Sequence, residues 1–127
     1  ADDFVNFAIS IYTKAYTNLA TEYFYNNKLD SCLALLHSFD EKIPDKLKPS
    51  IYLINLILLS AQLTDHIEIT RRWTFLYLNR IDHLVTKKAL KPQEIHYHIQ
   101  ALEALIRIKQ GKLGNRLQSI LRALKAY

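Results

Sequence analysis

The chain has 127 residues, of which 50% are hydrophobic and 23% are charged, and its formal net charge is +5 at pH 7. That length fits one domain with its own core, and the composition is the ordinary one of a soluble globular protein. Two glycines and three prolines are too few for the turns of a β-sandwich or β-barrel, so the composition favours helices. The single cysteine, Cys32, excludes an intrachain disulfide framework and a zinc site built from cysteines.

No segment of the sequence is typical of a membrane span or a leader. The longest apolar run extends from Ile51 to Leu63 and contains Asn55, and its thirteen residues are too few to cross a bilayer. No signal-peptide pattern opens the chain, and no Asn-x-Ser/Thr sequon occurs in it. We therefore expect a cytoplasmic protein or a nuclear one. The chain contains no methionine, even at position 1, which indicates a processed start or a fragment of a longer protein.

The N-terminal half predicts three helices. Over residues 1–25, apolar residues recur at helical spacing, namely Phe4, Phe7, Ala8, Ile11, Tyr12, Ala15, Leu19 and Tyr23. This helix is expected to end at Asn26-Asn27, because asparagine often takes the left-handed conformation after a helix. A second helix is predicted from Asp30 to just before Pro44. A third is predicted over residues 49–63.

The C-terminal half predicts three more. Thr64-Asp65 suits the cap of a fourth helix over residues 66–88, whose several apolar sides indicate cover from more than one direction. A fifth is predicted over residues 95–110, with Pro92 in its first turn. A sixth follows Gly111.

The connections between these helices decide how they pack. A turn of about two to six residues cannot carry the chain back along a helix, so neighbouring helices must be antiparallel. The predicted fold is therefore all-α, with about six antiparallel helices in three stacked helical hairpins. They make a single domain over residues 1–127.

The first hairpin carries a repeat pattern. Tyr16-x-x-Leu19-Ala20-x-x-Tyr23 is followed by Asn27 at the turn and then by Leu29, Cys32, Leu36, Phe39 and Pro44. This order resembles the tetratricopeptide repeat, with tyrosine in place of its tryptophan and alanine in place of its glycine. In the later hairpins Tyr52 and Tyr97 stand where Tyr16 does, at intervals of 36 and 45 residues rather than 34. A generic α-solenoid or an irregular bundle is the alternative.

The resemblance implies protein binding, because the first helix of each hairpin in this family lines a groove that holds a peptide or helix of a partner. When the groove positions of the family are transferred to this sequence, they include Lys14, Thr17, Thr21, Phe24, Leu53, Ile57, His98, Leu102 and Leu105. Thr17 and Thr21 stand where the subfamily that clamps a C-terminal carboxylate needs Lys and Asn. We therefore expect a groove for an amphipathic segment, as in an adaptor or a chaperone-like module. The alternative is that the leucines and Ile57 are plain core.

Charge is divided unequally along the chain. Residues 1–70 carry five lysines and nine acidic residues, net −4, whereas residues 71–127 carry twelve lysines and arginines and three acidic residues, net +9. We expect a basic face that includes Arg71, Arg72, Arg107, Lys109, Lys112, Arg116 and Arg122. Its partner is an acidic protein, a nucleic acid or the acidic end of a second copy in a homodimer, and a solvated face without a partner is the remaining alternative. No zinc-finger spacing, RNP aromatics or GXXG loop accompanies it.

No residue cluster indicates catalysis or a cofactor. His96 and His98 are two apart on a predicted helix and point about 200° apart, so they cannot share a metal ion. Cys32 lies on an apolar stripe, and the Gly111–Gly114 segment lacks the rest of a P-loop. We therefore predict an interaction module that is not an enzyme and needs no metal or cofactor. The alternative is an RNA- or DNA-binding helical domain that uses residues 71–127.

Overall fold

The computed structural model describes residues 2–63 and 68–127, and the regular secondary structure in these ranges is helical. The helices in the described residues are α1 (Asp2–Tyr25), α2 (Leu29–Lys42), a 3-10 helix (Asp45–Leu47), α3 (Ser50–Ser60), α4 (Glu68–Thr86), α5 (Pro92–Ile106) and α6 (Leu113–Lys125). The all-α prediction is confirmed, and the six α-helices are consistent with helical hairpins. The predicted cap at Thr64-Asp65 and the predicted start of the fourth helix lie outside the described residues.

The turn after α1 ends the helix where the sequence predicted. Asn27 has a φ of 58°, in the left-handed region that asparagine tolerates better than most residues. The amide of Lys28 donates to the carbonyl of Tyr23 at 2.8 Å, and the amide of Asn27 donates to that of Phe24 at 3.0 Å. These two bonds satisfy carbonyls that the end of a helix otherwise leaves unpaired.

Two helices end earlier than the apolar pattern predicted. α3 stops at Ser60, three residues before the predicted end, and α5 stops at Ile106, four residues before it. The amides of Gln62 and Ile108 then donate to carbonyls three residues back, at 3.1 and 3.0 Å. Such 3-10 turns close a helix without interrupting its apolar spacing, so periodicity alone does not locate them.

The helices form two compact units, an N-terminal unit of residues 1–70 and a C-terminal unit of residues 71–127. The N-terminal unit contains α1, α2 and α3, and the C-terminal unit contains most of α4 with α5 and α6. The boundary falls where the sequence changes from acidic to basic, so the N-terminal unit has net charge −4 and the C-terminal unit +9. Each unit therefore has its own sign of charge, and α4 runs across the boundary between them.

The core of the N-terminal unit is built where α1 and α2 approach closely. Ala20 and Cys32 are fully buried, and the Cys32 thiol donates to the Ala20 carbonyl at 3.2 Å. Burial raises the pKa of this thiol, so Cys32 is a small core residue rather than a nucleophile. The rings of Tyr16 and Phe39 pack with their centroids 5.8 Å apart. The small residues that the repeat pattern placed at this crossing thus lie at a close helix contact.

A buried lysine closes the end of α2. Lys48 is 2% exposed, and its ammonium donates to the carbonyls of Asp40 at 3.2 Å and Ile43 at 2.6 Å and to Asp45 Oδ1 at 2.5 Å. Asp40 Oδ1 lies 3.3 Å from the same nitrogen. A cation at this position pairs with the negative end of the helix dipole as well as with the carboxylates.

The C-terminal unit buries one face of each of its helices. The buried residues of these helices are Trp73, Thr74, Tyr77, Leu78 and Ile81 of α4, His98, Ala101, Leu102 and Leu105 of α5, and Leu117, Ile120, Leu121 and Leu124 of α6. A polar contact also joins α6 to α4, because Arg116 Nη2 donates to Asn79 Oδ1 at 2.5 Å. The last residue is tied to the turn before α5, since the Leu90 amide donates to the Tyr127 hydroxyl at 3.0 Å.

Candidate partner-binding site

The N-terminal unit has an open cavity of about 330 Å³ between α1 and α3. Its lining residues are Thr17, Asn18, Thr21, Phe24 and Tyr25 of α1, with Asn55, Leu58, Leu59 and Gln62 of α3 and the turn after it. On both helices they recur at intervals of about three and four residues, so each helix contributes a single face. The two faces together make a short cleft.

A ladder of threonines runs along α1 to this cleft. The hydroxyl of Thr13 donates to the Ile9 carbonyl at 2.7 Å, that of Thr17 to the Thr13 carbonyl at 2.8 Å, and that of Thr21 to the Thr17 carbonyl at 2.7 Å. Each hydroxyl hydrogen is therefore used inside the helix. Thr17 and Thr21 therefore present to a ligand only a methyl group and an acceptor oxygen. The α1 side of the cleft is thus less polar than its threonines alone would suggest.

Amide side chains give the cleft its hydrogen-bonding capacity. Asn18, Asn55 and Gln62 are exposed, and Gln62 Nε2 donates to the Leu58 carbonyl at 3.2 Å. An amide side chain has both donors and acceptors, and so can pair with a peptide backbone. None of the lining residues is charged, so charge does not select the ligand inside the cleft.

The predicted groove positions of α1 fall at this cleft. Thr17, Thr21 and Phe24 line it, and Phe24 is partly exposed there. Lys14 is exposed one turn before Thr17 and does not line the cavity. Three of the four predicted positions on this helix are thus brought together.

The three predicted groove leucines and Ile57 do not line the cleft. Leu53 and Ile57 of α3, and Leu102 and Leu105 of α5, are completely buried. In this structure they are core residues, the alternative that the sequence left open, because a side chain with no accessible surface cannot contact a partner. The side of α3 that lines the cavity carries Asn55 and Leu58 instead.

His98, the remaining predicted groove residue, is part of a buried polar pair. Its Nδ1 lies 2.5 Å from the Tyr77 hydroxyl, and both residues are buried in the C-terminal unit. Burial lowers the pKa of His98, against the opposing effect of Glu94, and burial raises the pKa of Tyr77 above its usual range. A neutral imidazole bonded to a neutral phenol fixes α5 to α4, which is a structural role rather than a ligand contact.

The residues of the predicted basic face differ in exposure. Arg71, Arg72, Arg107, Lys109, Lys112 and Arg122 are exposed. Arg116 is half-buried, donates to Asn79, lies 3.9 Å from Asp82 Oδ2 and covers the Phe75 ring at 5.3 Å. Arg116 therefore takes part in the packing of α6 on α4.

Sequence reasoning missed the α3 side of the cleft. The resemblance to the tetratricopeptide repeat placed the groove on the side of α3 that carries Leu53 and Ile57, and this side is buried. Asn55 was the available signal, because an amide inside an otherwise apolar run marks the side of the helix that meets solvent. Leu58, Leu59 and Gln62 then follow from it at helical spacing.

Among the described residues no group of three or more His, Cys, Asp or Glu side chains is placed to hold a metal ion. No helix within residues 2–63 and 68–127 is both long and apolar enough to cross a membrane. No protein-family model matches the chain, and no curated protein and no solved structure matches it either. The tetratricopeptide pattern of the first hairpin thus remains a resemblance carried by its residues.

Proposed function

We propose that the chain is a protein-interaction module whose N-terminal unit binds a short uncharged segment of a partner, an extended peptide or one face of a helix, in the cleft between α1 and α3. The observation that carries this is the cavity of about 330 Å³ at the groove positions Thr17, Thr21 and Phe24. That volume is at the lower end of the range for ligand pockets, so it holds a few side chains of a peptide rather than a whole domain.

The lining indicates how a peptide would be held. Phe24, Leu58 and Leu59 provide apolar surface for one or two side chains of the ligand. Asn18 and Asn55 stand on opposite walls and supply donors and acceptors for its backbone. The basic C-terminal unit adds long-range attraction, which raises the association rate of an acidic partner without a contact in the cleft.

The experiment is selection of peptides from a displayed random library, followed by fluorescence anisotropy of labelled hits. Leu58→Trp fills the cleft and should weaken binding at least tenfold. Asn55→Ala removes one amide and should weaken it by a smaller factor. Ile51→Ser is the matched control, because Ile51 is exposed on the same helix and does not line the cavity. Equal binding by Leu58→Trp and the wild type would show that peptides bind elsewhere.

A second candidate function, nucleic-acid binding by the C-terminal unit, is favoured by the coincidence of the unit boundary with the charge boundary. Binding of labelled RNA and DNA would then fall steeply with salt, because neutralised phosphates release counterions. Charge reversal at Arg107, Lys112 and Arg122 tests this on exposed residues. Arg116 is left intact, since its reversal would disturb the contact with Asn79. A salt-independent signal, or no change in the triple variant, would remove this candidate.

A further inference from the structure

The first nine residues of α1, residues 2–10, extend beyond the end of α2. Tyr16 meets Ser38 and Phe39 near the end of α2, and Ala20 meets Cys32 near its start. In this antiparallel pair the last residue of α2, Lys42, is level with about residue 11 of α1. Residues 2–10 therefore project roughly 14 Å past the end of α2, at 1.5 Å per residue. We name residues 2–15, the projecting turns and the turn that follows them, the α1 arm.

The α1 arm presents an apolar stripe to solvent. Phe4 is 76% exposed, Phe7 64% and Ile11 55%, and Ala8 and Ala15 lie along the same side of the helix. The buried positions of α1, at Thr13, Thr17 and Ala20, are on the opposite side. The apolar periodicity that predicts this helix thus describes, in its first half, a face that is more than half exposed to solvent at Phe4, Phe7 and Ile11.

We infer that this stripe is a homodimer interface, in which the α1 arms of two copies pair antiparallel. The stripe has the three- and four-residue spacing that lets two helices interlock their side chains. With Val5 and Tyr12, which are also exposed, two copies would bury on the order of 1,000 Å² in total, the lower limit for a specific interface.

Charge selects the antiparallel orientation. Asp3 and Lys14 are exposed and are eleven residues apart, close to three helical turns, so they lie on the same flank of the stripe. In an antiparallel pair the same flanks of the two copies face each other, so Asp3 of each copy meets Lys14 of the other. In a parallel pair opposite flanks face each other, so Asp3 and Lys14 would face the flank that carries Val5 and Tyr12, and no ion pair would form.

The same register gives a good fit of side-chain sizes. Pairing residue 3 with residue 14 places the two-fold axis between Ala8 and Ile9. Ala8 then lies where the helices cross, and its small side chain allows close approach. Phe4 of one copy fits between Ile11 and Ala15 of the other.

A lipid surface is a poorer partner for this stripe than a second copy, because interfacial helices carry Lys and Arg on their flanks, whereas the α1 arm carries Asp2 and Asp3 with a single lysine.

The experiment is light scattering and sedimentation of the 127-residue chain from low to high micromolar concentration, at low salt. We expect a concentration-dependent dimer, lost in Phe7→Ser and retained in the control Ile51→Ser, which removes an equally exposed side chain from α3. Because Phe7 is outside the core, the melting temperature at low concentration should change little. A wild-type chain that stays monomeric, or a Phe7→Ser variant that still dimerises, would overturn the inference.

Charge swaps and a cross-link test the orientation. Lys14→Asp should weaken the dimer, and adding Asp3→Lys in the same chain should restore it, because every antiparallel contact is again between opposite charges. Ala8→Cys should form an intermolecular disulfide on mild oxidation, whereas Ala15→Cys should not. Failure of the double swap to restore the dimer, or efficient cross-linking through Ala15→Cys, would contradict the antiparallel arrangement.

Discussion

Replacement of Lys48 by methionine should be among the most destabilising single changes in the N-terminal unit. The Lys48 ammonium is buried and donates to two carbonyls at the end of α2, those of Asp40 and Ile43, and to the Asp45 carboxylate. Methionine retains most of the aliphatic stem and removes the charge and all three donors. The variant therefore separates the polar contribution of Lys48 from its packing.

The magnitude follows from the contacts. Hydrogen bonds to charged groups contribute about 1.5–3 kcal/mol each, and loss of one partner of a buried ion pair costs about 3–5 kcal/mol. Asp40 is 12% exposed and Asp45 is 55% exposed, so the pair with Asp45 is screened and adds only about 0–1 kcal/mol. We expect a loss of about 3–5 kcal/mol, a large part of the total stability of an ordinary domain.

Urea unfolding followed by far-UV circular dichroism measures this loss. Lys46→Met is the matched control, because Lys46 is exposed on the 3-10 helix that directly precedes Lys48, and its replacement should change the free energy of unfolding by less than about 0.5 kcal/mol. A Lys48→Met protein within about 1 kcal/mol of the wild type would refute the reasoning, since it would mean that desolvation of the ammonium cancels its contacts.

Three further predictions concern helix packing, protonation and a turn. Leu102→Asp should unfold the C-terminal unit rather than abolish partner binding in a folded protein, because Leu102 is fully buried; the fluorescence of Trp73, the only tryptophan, reports the outcome. Burial lowers the pKa of His98, so the stability that the neutral imidazole contributes is complete above the pKa of the unfolded chain and is lost as pH falls below it, by at most about 1.4 kcal/mol per pH unit. In urea titrations at several pH values, His98→Gln should lack this pH dependence of the free energy of unfolding, and the exposed control His37→Gln should keep it. Asn27→Ala should cost about 1 kcal/mol because Asn27 has a positive φ, and equal melting temperatures for the variant and the wild type would contradict this.

The two faces of α1 show where sequence reasoning about the site stops. Its apolar residues fix a helix of this length, yet Phe4, Phe7 and Ile11 lie in solvent, while Thr13 and Thr17 are buried. Helical threonines become compatible with burial when their hydroxyls bond to carbonyls one turn back, as these do. Periodicity identifies a helix and its stripes, but which stripe is covered depends on the side of α1 against which the other helices pack.

The helical class, the approximate bounds of the helices, the left-handed turn at Asn27 and the separation of charge into two halves can all be read from the amino-acid sequence. These are local or additive properties, since they depend on the spacing, conformational preference and charge of neighbouring residues. The packing of the helices, in contrast, buries Leu53, Ile57, Leu102 and Leu105 in the core, holds Arg116 against Asn79, and brings Asn55 and Leu58 to the cleft. Those outcomes depend on the rotation of each helix about its axis, which is set by contacts between residues far apart in the chain.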